Sequence, residues 1–201
     1  MPPHRGQARL TLLRVHPALF YHPGERLSLT ELSAARLDGH VVEVGEGYMP
    51  ADTVESSADR AVSVAMLLPP RTAASGPTAA WVHGAGDRPP AIHHVTRVGR
   101  RRPRTRPSVR VVHHERTLAP DEVQLIGGVP VTTPLVTAVT LLFDLARYGG
   151  DDRWLRALLT GQPELTAAVR THVDAIERRP GCQAAKRILA AIVADQEVVT
   201  R

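Results

Sequence analysis

A single cysteine, Cys182, stands in 201 residues, so neither an intramolecular disulfide nor a thiolate zinc cage can staple this chain. A reducing compartment is the expectation. Aromatic residues are only 3% of the composition against 43% apolar residues overall, so a core has to be assembled from Ala, Val and Leu. No apolar run approaches the roughly 18 to 20 residues of a membrane span, and the amino-terminal stretch has no hydrophobic segment followed by a small-residue cleavage site. This predicts a soluble, cytoplasmic protein with no membrane partner. Lysine is almost missing as well. Lys186 is the one example, and Ala184 stands two residues before it, so the (Asp/Glu)-x-Lys pair common in metal-dependent nucleases cannot be built there. Seventeen prolines and fifteen glycines are scattered without a period, which excludes collagen-like sequence and long coiled coils and favours short elements joined by turns.

The usual anchors of enzyme chemistry are also lacking. No Gly-x-x-x-x-Gly-Lys, Gly-x-Gly-x-x-Gly, Gly-x-Ser-x-Gly or His-Glu-x-x-His pattern occurs, so phosphate-cradling loops, dinucleotide sites, esterase elbows and zinc-protease helices are not indicated. The chain reads as a non-enzyme without a catalytic residue or cofactor. The pairs His93-His94 and His113-His114 would lie on neighbouring strands, where alternation sends successive side chains to opposite faces. No third or fourth ligand is apparent, and the pairs read as partly exposed strand histidines with no metal. Asp151-Asp152 and Asp121-Glu122 precede helices or turns and read as capping acids.

What the chain has in excess is arginine, concentrated in one place. The net charge is +5, yet residues 1–24 carry +3, residues 25–55 carry −5 and residues 97–116 carry +7. Mutual repulsion, Pro103 and Pro107 disfavour a helix across the arginine-rich loop 97–110, which predicts an extended, solvated segment. Guanidinium groups at this density suit a polyanion, since each can neutralise a phosphate and release a counterion. The candidate contacts are Arg97, Arg100, Arg101, Arg102, Arg104, Arg106 and Arg110 in the loop, Arg5 and Arg9 in the basic amino-terminal arm, and Thr30 and Arg36 on the first helix. No aromatic residue interleaves the arginines, so stacking on single-stranded bases is not indicated.

Periodicity gives the rest of the frame. Ser28 or Thr30 can cap a short helix over Leu29–Leu37 with Leu29, Leu32 and Leu37 as its apolar stripe, and a hairpin turning at Gly45-Glu46-Gly47 follows. Helix then hairpin is how a winged helix ends. A helix is predicted over residues 55–68 and another over 78–83, then strands over 91–96 and 108–114 on either side of the arginine loop and a hairpin about Gly127-Gly128. From Pro134 the spacing becomes helical, with four helices over residues 134–199. The expected class is α+β: a small winged-helix-like module over residues 1–70, shortened at its amino end, then residues 71–201 with a small antiparallel sheet and a carboxyl-terminal helical unit.

Taken in order, these pieces resemble the AbiEi-family antitoxins of type IV toxin–antitoxin systems in their high-GC bacterial form. The resemblance rests on Leu29-Thr-Glu-Leu-Ser-Ala-Ala-Arg36-Leu-Asp-Gly39 leading to Val44-Gly-Glu-Gly-Tyr48, and on Ala79-Ala-Trp81-Val-His83-Gly84. It continues through the strand, arginine loop and strand, to Val129-Pro-Val-Thr-Thr-Pro134 and Asp144-Leu-Ala-Arg147. It implies a DNA-binding antitoxin that represses its own operon, lacks an endonuclease-like extension and opposes a nucleotidyltransferase-like toxin. Its expected partners are its own promoter DNA and that toxin. The alternative from the charge pattern is a protein-interaction module whose arginine loop docks an acidic protein and never meets DNA.

Overall fold

The computed structural model describes residues 20–99, 108–176 and 178–199, and their class is α+β. Helix α1 (Leu29–Leu37) begins with a capping box. Glu31 N–H donates to Ser28 Oγ at 3.3 Å, while the Ser28 N–H and hydroxyl each reach the Glu31 carboxylate at 2.8 Å. These two donors hold the Glu31 pKa below its ordinary value. Only Leu32 of α1 is buried. Leu29 and Leu37 stay 58% and 80% exposed, which corrects the expected stripe: at 100° per residue, Leu37 is turned about 140° away from Leu32.

Strands β1 (Val41–Val44) and β2 (Gly47–Pro50) form the expected antiparallel hairpin. Helix α2 (Ser57–Val64) repeats the capping box with Ser56 and Asp59, and a 3-10 turn over Ala65–Leu67 finishes it earlier than the apolar spacing implied. Next come β3 (Thr72–Ala74), α3 (Gly76–Val82), β4 (His93–Val98), β5 (Val111–Leu118), β6 (Val123–Ile126) and β7 (Val129–Thr132). The helical third follows as α4 (Pro134–Tyr148), α5 (Arg153–Gly161), α6 (Pro163–Asp174) and α7 (Cys182–Val199).

The five-stranded sheet has the order β5-β4-β3-β7-β6. It is mixed where an antiparallel sheet was expected: β3–β4 and β6–β7 are antiparallel, whereas β4–β5 and β3–β7 are parallel. The reason for β4–β5 is the length of the connection, residues 99–110, which is more than a hairpin needs and enough for a crossover. The sequence reading also missed β3, the central strand. Its residues, Thr72-Ala-Ala74, lack the bulky branched side chains that mark a strand, and it is extended because it is paired on both sides.

Helix α3 packs against α4, β4, β7, α2 and α5. Such all-round burial suits a helix made of small and apolar residues, and Gly76, Thr78, Ala79, Ala80, Trp81 and Val82 are all buried. At its end His83 Nε2–H donates to the Thr132 carbonyl at 2.7 Å, fastening the helix to β7. Burial pushes the His83 pKa down and the carbonyl partly opposes this. Two larger cores result. One lies among α4 to α7, centred on Leu142, Leu155, Leu158, Val169 and Ile192. The other joins Phe20 and the hairpin residues Val44 and Met49 to Ala61, Val64, Trp81 and Val131, so the amino-terminal hairpin shares its interior with the sheet. No described helix is long and apolar enough to cross a membrane.

Candidate nucleic-acid interface

Helix α1 presents Thr30 and Arg36 to solvent, as their proposed contact role requires. Leu29 and Leu37 are exposed on the same helix. The acids that gave this region its negative balance are partly engaged within the protein. Glu31 caps α1, Glu55 pairs with Arg60, and Glu46 reaches across to the beginning of β5.

That last contact decides what the hairpin can do. Arg110 Nη1 donates to Glu46 Oε2 at 2.7 Å, and Nη2 donates to the other carboxylate oxygen. The buried His93 places Nε2 3.6 Å from Glu46 Oε1. Burial pushes the His93 pKa down, with Glu46 acting against the shift and Arg110 with it. Its Nδ1 is buried without a hydrogen-bond partner among the described residues. The turn glycines are equally committed: a Cβ at Gly45 would lie 2.2 Å from Ser63 Oγ, and one at Gly47 would lie 2.3 Å from Phe20 Cε1. The tip of the hairpin is therefore docked on the rest of the protein and is not free to enter a groove.

Arg110 and Glu46 are 50% and 22% exposed, so a coupling of only about 0.5 to 1 kcal/mol is expected for the pair. A double-mutant cycle with Glu46→Gln and Arg110→Gln, read by urea unfolding, measures it. Zero coupling would mean that apolar and glycine packing alone hold the tip.

The two described ends of the arginine segment are not brought together. Arg97 pairs with Thr117 at the far end of the β4–β5 ladder, and its Nε donates to the Thr117 hydroxyl at 3.2 Å. Arg110 precedes Val111, which stands opposite His93. The separation is about 16 Å along the strands at roughly 3.3 Å per residue. Arg5, Arg9, Arg100, Arg101, Arg102, Arg104 and Arg106 lie outside the described residues.

Alternation separates the histidine pairs by face. His94 and His114 share one, with His94 Nδ1 2.9 Å from His114 Nε2 and the rings stacked at 5.1 Å. Burial, followed by the neighbouring His114 and His93, lowers the His94 pKa to about 4. Both the Glu46–Arg110 contact and the His94–His114 contact escaped the sequence reading. The parallel register of β4 on β5 creates the second, and nothing local encodes it.

A family model for the AbiEi antitoxin C-terminal domain matches residues 72–190, which run from the first residue of β3 into α7. No curated protein matches the chain.

Proposed function

The chain belongs to the AbiEi antitoxin family, and from that premise we propose that it is the DNA-binding antitoxin of a toxin–antitoxin operon, repressing its own promoter and counteracting a nucleotidyltransferase-like toxin. Residues 1–70 form the DNA-reading module in this proposal, and residues 71–201 the antitoxin domain. The observation that carries DNA binding is the charge of +7 over residues 97–116, a density that suits phosphates better than it suits mere solubility. Phosphate contacts come from the arginine segment and the basic arm, and base contacts from the exposed side of α1 with Thr30 and Arg36. The hairpin tip takes no part while Glu46 holds Arg110, and Arg110 reaches a phosphate only by releasing that carboxylate.

The test is a fluorescence-anisotropy titration of the full chain with its own promoter across a salt series. Changing Arg100, Arg101 and Arg102 to Ala is expected to weaken binding and to reduce the slope of log K against log salt by about 3, near 0.9 per lost phosphate contact. Binding indifferent to salt, or unchanged in the triple variant, rejects the proposal. The second reading, docking of an acidic protein, is favoured by Glu46 itself, since a carboxylate of this protein already occupies the guanidinium of Arg110. Co-purification with the product of the adjacent gene, together with failure to bind any DNA, would select that reading.

A further inference from the structure

On the sheet face that carries Thr96 and His114, a cleft of about 460 Å³ opens between the strands and α4. A second hollow of about 420 Å³ adjoins it and shares Asp144, Arg147 and Arg179. The first has the size of a small-molecule site, roughly 300 to 1,000 Å³. Its charged lining is unusual. Arg116, Arg147 and Arg179 all line it, and of the three only Arg116 has an ion-pair partner among the described residues, Glu122. Arg179 lies with its guanidinium 3.7 Å from the centre of the Phe143 ring. Its pKa is lowered first by desolvation and then by the charge of Arg116, with Asp144 acting the other way. Like charges held together beside an aromatic ring are a cost that a bound anion relieves.

Asp144 stands among them, half-buried, its carboxyl group making no hydrogen bond or ion pair to any described residue. Desolvation raises its pKa, while His114, Arg179 and Arg147 pull the other way. Glu115 also lines the cleft, so with Arg116 paired to Glu122 the carboxylates of Asp144 and Glu115 match Arg147 and Arg179 in number, and the two guanidinium groups without an ion-pair partner among the described residues are the anion-binding groups of the site. Hydroxyl groups complete the lining. Ser75 Oγ accepts from Thr96 at 2.7 Å, which leaves its own proton to donate, and Thr140 faces the same space.

We infer that this cleft binds a small phosphate ester with a hydroxylated body: Arg147 and Arg179 hold the phosphate, and Asp144 accepts a hydrogen bond from a hydroxyl of the body. Guanidinium forks match phosphate oxygens, and a half-buried carboxyl group without a hydrogen-bond donor from the protein is the natural acceptor for a ligand hydroxyl. Arg147, Arg179 and Asp144 all lie outside residues 97–116, so the inference does not rest on the DNA-binding reading.

The experiment is calorimetric titration of the full chain at fixed ionic strength with ribose 5-phosphate, inorganic phosphate and ribose. Ribose 5-phosphate is expected to bind at least tenfold more tightly than inorganic phosphate, with ribose alone not binding. Arg147→Ala and Arg179→Ala should each weaken both phosphates at least tenfold. Asp144→Asn should remove the advantage of the ester, leaving inorganic phosphate near its wild-type affinity. The Arg→Lys variants at both positions, checked by circular dichroism, guard against misfolding and should retain part of the binding. Three results overturn the inference: no saturable binding at millimolar concentrations, an ester advantage that survives Asp144→Asn, or binding lost when Arg100, Arg101 and Arg102 become Ala, which would place the phosphate on the arginine segment.

Discussion

Gly45→Ala is expected to destabilise the protein by about 3 to 4 kcal/mol, a large part of the roughly 5 to 15 kcal/mol that holds an ordinary domain together. Two independent effects combine. Gly45 has φ of +56°, where an alanine costs roughly 1 to 2 kcal/mol because its Cβ crowds the following carbonyl. The new methyl would also stand 2.2 Å from Ser63 Oγ, 2.9 Å from Ser63 Cβ and 3.0 Å from the Trp81 ring. Ser63 is fully buried and its hydroxyl donates to the Arg60 carbonyl at 2.7 Å, so it cannot yield without losing that bond. Overpacking of this kind adds about 1 to 3 kcal/mol. Gly39→Ala is the control: its φ is +77°, but nothing lies within 4 Å of the added Cβ, so only the backbone effect of about 1 to 2 kcal/mol applies. Urea unfolding followed by Trp81 fluorescence gives both values. Equal losses at the two positions would show that the hairpin tip is not wedged against α2 and α3.

Acidification should weaken the fold between neutral pH and about pH 4. The unfolded chain protonates His94 near 6.5, whereas the folded chain does so only near 4. Between those values the unfolded state binds more protons, so stability is full above 6.5 and falls as pH drops towards 4. The full shift would correspond to about 3.4 kcal/mol at 1.36 kcal/mol per pKa unit; with solvent screening of a partly buried ring, about 2 kcal/mol is expected. His83 and His93 are also shifted down by burial and act in the same direction. Asp144, with its raised pKa, acts oppositely and offsets part of the loss at the acid end of the window. Unfolding free energies at pH 7 and pH 5 should therefore differ by more than 1 kcal/mol, and His94→Gln should reduce the difference. A flat profile would mean that the His94–His114 pair opens to solvent before it charges.

The elements that announced themselves in the sequence are those with a local signature. Ser28 and Glu31 at capping-box spacing mark the start of α1, the glycine turns mark both hairpins, and Leu135, Val139, Leu142 and Phe143 give α4 its face. Long-range pairing left no such trace. Thr72-Ala-Ala74 has no strand signature, so the middle of the sheet went unread, and with it the parallel orientation of its neighbours. The acidic stretch 25–55 and the basic stretch 97–116 were plain as totals, but the single bond that joins them, Glu46 to Arg110, depends on where two turns meet. Asp144 and Arg147 were visible only as a motif one helical turn apart. Their arrangement with Arg179 and Arg116 needs the helical third folded back upon the strands.

The parallel pairing of β3 with β7, Ala74 opposite Val131, has a consequence for assembly. The middle strand leaves the ribosome well before the strand that completes it, and closing so long a stretch of chain is entropically slow. The α4–α7 bundle, whose contacts are close in sequence, can nucleate on its own and present its surface to α3. The two edge strands, β5 and β6, are each held along one side alone, and of the two the short β6 ladder is the weaker hold.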